Sequence, residues 1–167
     1  MGRMNAEELG TLYSLIGKGI WHLQHLEDAL STCITVKSDI KARGAMGEAQ
    51  AAALLTKRRS HTLGTALRIA REGQVLSPSS QDRLERFKEE RDWLVHRSLH
   101  ENGDDLYRDE MRYFLFDRLA AFSEEALNLQ RLIAAELEEF VVAQGISRER
   151  IKEYAAHQIM GLRGEAG

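Results

Sequence analysis

The chain has 167 residues, 43% of them hydrophobic and 29% charged, with a single proline, a balance that supports one helix-rich domain with a real core. A formal net charge of -3 excludes a chain-wide electrostatic grip on nucleic acid while leaving room for a local patch. Cys33 is the one cysteine, so an internal disulfide is excluded and a reducing cytoplasm is the expected setting; no apolar run approaches the roughly 20 residues of a membrane span, and no secretion signal is expected.

The pattern is helical from end to end. Asn5 and Glu8 have capping-box spacing and open a first helix to about residue 37. Its apolar stripe runs through Leu9, Leu12, Ile16, Ile20, Leu23, Leu26 (or Glu27), Leu30 and Ile34. Gly44 and Gly47 flank a loop. A second helix is predicted over 48–71, closed by Gly73. Ser77 and Pro78 supply an N-cap and a first helical residue for the third, which gives way to a polar loop around Glu101-Asn102-Gly103-Asp104. Asp104 or Asp105 is the expected cap of a fourth helix over 106–143, with Met111, Phe114, Leu115, Leu119 and Phe122 in its apolar set; it is very long or bends near Ser123. Gly145 ends it, and Ser147 opens a short last helix.

Long amphipathic helices joined by short loops make an all-α, antiparallel four-helix bundle with a short additional C-terminal helix the economical fold, one domain over 1–167. The fourth helix outruns the third. Its surplus apolar surface must be covered by the last helix or by a second copy of the chain, so a homodimer is expected.

Several chemistries do not fit. A di-metal bundle needs Glu-x-x-His pairs, and none occurs. His22 and His25 read as half-buried structural residues, Cys33 as core, and the Gly44–Gly47 stretch lacks the strand that a phosphate loop requires. His96 and His100 have metal-ligand spacing but no third ligand, so neither metal nor cofactor is expected. The basic run Lys57-Arg58-Arg59-Ser60-His61 is a solvated face or, with Lys57, Arg58, His61 and Thr65 on one side of the helix, a phosphate-contacting patch.

The most informative stretch is Arg91-Asp92-Trp93-Leu94-Val95-His96-Arg97. Leu84, Phe87, Arg91, Leu94 and Ser98 follow helical spacing, which puts a guanidinium in an apolar seam, a costly position unless it is paired or lines a polar cleft. His96, five residues on, is the side-chain type that titrates near neutral pH. Residues five apart on an α-helix are displaced by about 140°, so the two reach one site only if it wraps the helix or the helix loosens. Asp92 lies one turn before His96 and is placed to orient its ring.

The Arg-x-x-x-x-His pattern with a polar residue after the arginine, late in the third helix of an all-helical chain, resembles the signature of HEPN domains. Arg150 and His157 also satisfy the looser gap of that family, but an apolar Ile151 follows that arginine. The resemblance implies a helical, typically dimeric, metal-independent endoribonuclease of the kind found in toxin–antitoxin, CRISPR and phage-defence systems, with RNA as substrate and, in toxins, an antitoxin protein as partner. It implies Arg91, His96 and Asp92 as catalytic residues at a composite dimer site. Arg97 and His100, with Lys57 and Arg58, are the candidate RNA or phosphate contacts. Ser98 stands where members neutralised by a nucleotidyltransferase often carry a modified tyrosine, so that mode is not implied. The competing reading is a non-catalytic helical dimerisation or adaptor protein, or a nucleotide-binding module.

Overall fold

The structure, a computed structural model, describes residues 4–164. Among them it is all-helical, without strands. The chain runs through α1 (Ala6–Ile34), α2 (Glu48–Arg59), α3 (Leu63–Glu72), α4 (Pro78–Asp92), α5 (Ser98–Asn102), α6 (Asp109–Ala143) and α7 (Arg148–Leu162). No helix among the described residues is long and apolar enough to cross a membrane.

The capping box opens α1 as its residues dictate: the Glu8 amide donates to Asn5 Oδ1 and the Asn5 amide to Glu8 Oε2, at 2.9 and 2.8 Å. Leu12, Leu23, Leu26, Leu30 and Ile34 then bury one stripe of α1, packed chiefly along α6. Gly19 marks the close approach. A Cβ there would lie 3.2 Å from the Phe122 ring, which itself stacks on Phe87 of α4. Around these meet Leu63, Leu67 and Ala70 of α3, Leu84 of α4, and Leu119, Ala126, Leu129 and Ile133 of α6. Cys33 is wholly buried in this core, and burial pushes its thiol up to about 11. His22 is half-buried and donates from Nδ1 to the Ser123 carbonyl (3.1 Å), whereas His25 is exposed with its ring edge-on to Trp21.

Four local expectations need correction. The helix expected over 48–71 breaks at residues 60–62, because Ser60 Oγ donates back to the Lys57 carbonyl while Thr62 caps the Thr65 amide. The break lets α3 turn its apolar face inward, whereas α2 buries no residue and is held by ion pairs. His61 and Thr65 therefore leave the face that carries Lys57. Asp104 and Asp105 do not cap α6, since 103–107 forms a 3₁₀ turn and Asp105 instead accepts from Asn102 Nδ2 at 2.7 Å. At the start of α6, Met111 and Phe114 face outward and Arg112 inward, 4% exposed, donating to Glu8, Asp109 and the Leu106 carbonyl. Beyond that, α6 runs unbroken past Ser123 to Gly145, whose φ of +86° ends it. The last correction concerns α7, which covers nothing: Ile151 is half-buried and every other described residue of it is exposed.

Candidate functional site

Beyond Asp92 the α4 helix does not simply end. Residues Trp93–Arg97 are wound as a π turn, and the Ser98 amide donates to the Trp93 carbonyl, five residues back. The turn underwinds the helix between Arg91 and His96. Residues five apart on an α-helix are about 140° out of line, and the wider turn, which starts two residues after Arg91, narrows that offset.

Trp93 is the anchor of the turn. Its ring is fully buried, its Nε1–H donates to Asn102 Oδ1 at 2.9 Å, and the Arg118 guanidinium lies 3.6 Å from the ring centroid. Arg118 is in turn fixed by a two-pronged bond to Glu90, both contacts 2.9 Å. The turn is thus clamped by α6 on one side and by Asn102 of α5 on the other.

Arg91 sits in the seam as its spacing requires, with its side chain 21% exposed. Nη1 donates to Asp92 Oδ1 at 3.0 Å, Nη2 lies 4.0 Å from Glu27 Oε1, and the buried Nε has no hydrogen-bond partner. Asp92 also accepts from Lys88 Nζ, and the Lys88 bond, with that from Arg91, outweighs burial and holds its carboxyl below the ordinary range. Each of its oxygens accepts from one of these two cations. No bond joins Asp92 to His96, so Asp92 steers Arg91 rather than the imidazole.

His96, Arg97 and His100 are exposed. His96 and His100 have no side-chain hydrogen-bond partner among the described residues, which leaves both rings open to a ligand. Arg97 lies 3.6 Å from Glu101 in a half-exposed i, i+4 pair that water screens strongly. The two outlying candidates fare differently. Lys57 is exposed on α2, while Arg58 is fixed to Asp39 by two bonds of 2.9 and 2.7 Å from Nε and Nη2, which raise its pKa and leave only its Nη1 side for a phosphate.

The residues that spacing did not single out as a site are Glu27 and Arg59; His61, read with the basic patch of Lys57, turns instead toward α1. Arg59 reaches α1 and bonds Asp28 at 2.5 Å. Beside that pair Glu27, Asp28, Arg59 and His61 line a cavity of about 200 Å³ between α1 and α3. His61 Nδ1 is buried there without a partner. Burial raises the Glu27 pKa and the Arg91 charge only partly offsets this. A hint lay in the α1 stripe, where Glu27 competes with Leu26 for one position. No group of three or more His, Cys, Asp or Glu able to hold a metal occurs among the described residues.

No family model, curated protein or solved structure matches the chain.

Proposed function

We propose that this chain is a metal-independent endoribonuclease of HEPN type, acting as a homodimer whose two Arg91–His96 motifs meet in one cleft. The π turn at Trp93–Arg97 is the observation that carries the reading, because it loosens the helix between Arg91 and His96 and narrows their angular offset where the motif needs it. Packing of α1, α3, α4 and α6 around one core supports the corresponding four-helix bundle.

In this mechanism a neighbouring 2'-hydroxyl attacks the phosphate and the P–O5' bond breaks. One His96 takes the hydroxyl proton, and its copy on the partner gives a proton to the leaving 5' oxygen. Arg91, aimed by Asp92, offers its fork to the pentavalent phosphate. A single chain has one such histidine, so the two proton roles call for two copies about a two-fold axis. Arg97, His100 and Lys57 hold the flanking phosphates.

Exposed Leu99, Tyr107, Met111 and Phe114 favour a second reading, a dimerisation or adaptor module without catalysis. Cleavage separates the two. The purified protein is expected to cut single-stranded RNA in EDTA, leaving 2',3'-cyclic phosphate ends, and Arg91→Ala or His96→Ala to abolish the cut. Equal cleavage by wild type and both variants, or none by wild type, overturns the enzyme.

A further inference from the structure

We infer that the cavity between α1 and α3, beside Arg91, is a pocket for a guanine base. Glu27 is its key residue. Although half-buried, its carboxylate accepts no hydrogen bond from any described residue, and its nearest cation, Arg91 Nη2, stands 4.0 Å away. Its side chain keeps 34% exposure, so it opens onto the cavity with no protein donor, and such a carboxylate suits a ligand that brings N–H groups. Two buried nitrogens without partners belong to neighbouring side chains: His61 Nδ1, on the lining of the same cavity, and Nε of Arg91, the guanidinium that stands off Glu27.

The charges narrow the ligand. Of the lining charges Asp28 is paired with Arg59, and Glu27 is left facing the cavity, which disfavours a phosphate, while Arg91 beyond the lining offsets its charge toward a bare cation. A neutral group rich in donors fits best. Leu30 and Leu63 supply apolar wall for the faces of a flat ring, and about 200 Å³ is small for a whole nucleotide but suits one base. Among the bases, guanine alone presents two adjacent donors, N1–H and the exocyclic amine, that both prongs of a carboxylate can accept. Adenine and cytosine place an acceptor beside their amino group, and uracil flanks its single N–H with carbonyls.

The base can belong to an RNA strand or to a free nucleotide. The RNA source rests on the ribonuclease reading, in which the guanine flanks the phosphate held at Arg91. Two measurements keep the sources apart. Calorimetric titration with GMP, AMP, CMP and UMP is expected to show GMP at least tenfold tighter than the rest, in line with the discrimination a two-pronged base contact supplies. Glu27→Gln, which puts an amide donor against the base donors, should erase that preference. Mapping of cut sites on a mixed-sequence single-stranded RNA is expected to place them beside guanosines.

GMP binding no tighter than that of the other nucleotides, or a preference that survives in folded Glu27→Gln, overturns the pocket. The wild-type comparison decides even where the variant does not fold. GMP preference without RNA cleavage keeps the pocket and overturns the ribonuclease. Unbiased cleavage without GMP preference does the reverse.

Discussion

Replacing Trp93 with phenylalanine keeps an aromatic ring at the head of the π turn and removes its one hydrogen bond. Trp93 is fully buried, its Nε1–H reaches Asn102 Oδ1 at 2.9 Å, and Arg118 covers its face. Leaving the Asn102 oxygen without its donor costs about 1–3 kcal/mol. A smaller ring under Arg118 weakens the cation–π contact, a loss of up to about 1 kcal/mol. The expected total is roughly 1–4 kcal/mol, and Trp93→Ala, which empties the site, should exceed the loss in Trp93→Phe. With a urea m value of about 2 kcal/mol/M, Trp93→Phe lowers the unfolding midpoint by about 0.5–2 M. A double-mutant cycle with Asn102→Ala is expected to return a coupling of about 1 kcal/mol. A Trp93→Phe midpoint within measurement error of wild type, with additive single effects, would refute the claim that Trp93 clamps the turn.

Glu136 of α6 caps the start of α4, accepting from the Ser77 amide at 3.0 Å, Ser77 Oγ at 2.7 Å and Ser80 Oγ. Burial pushes its pKa up, but these bonds and Lys37 outweigh it and leave the carboxyl below its ordinary 4.5. A depressed folded-state pKa stabilises above the unfolded value and fades as pH falls through the folded one. Denaturant melts should therefore weaken only below about pH 4.5, and Glu136→Gln should flatten that acid limb and cost about 1.5–3 kcal/mol at pH 7; an unchanged limb counts against the network. Cys33, buried with its thiol pushed up to about 11, is expected to react with a thiol reagent at pH 8 only at the rate of unfolding. Rapid labelling of native protein would contradict its place in the core.

Much of the fold was legible because its signals are local. Asn5 with Glu8, Ser77 with Pro78, Gly145 and Ser147 each act through bonds within a turn, so the residue type alone announces the boundary. What escaped depends on distant partners. Arg112 displaces Met111 and Phe114 from the inward face because Glu8, over a hundred residues away, draws it in. The break between α2 and α3 reflects where the core lies, which periodicity in Ala52, Leu55 and Leu63 does not record. The candidate site divides the same way. Spacing alone placed Arg91 in the seam, and the half-buried guanidinium agrees. It could not show the π turn, nor that Asp92 serves Lys88 and Arg91 instead of His96, nor the cavity that joins Glu27 to His61.

Subunit mixing tests the shared cleft most directly. Wild-type protein is diluted with inactive Arg91→Ala chains, the subunits are allowed to exchange, and cleavage of single-stranded RNA in EDTA is followed against the wild-type fraction. Where both motifs of a two-fold dimer build one site, activity falls as the square of that fraction, to about one quarter at equal mixing. A linear fall, to about one half at equal mixing, would mean that each chain works alone and would contradict the composite site.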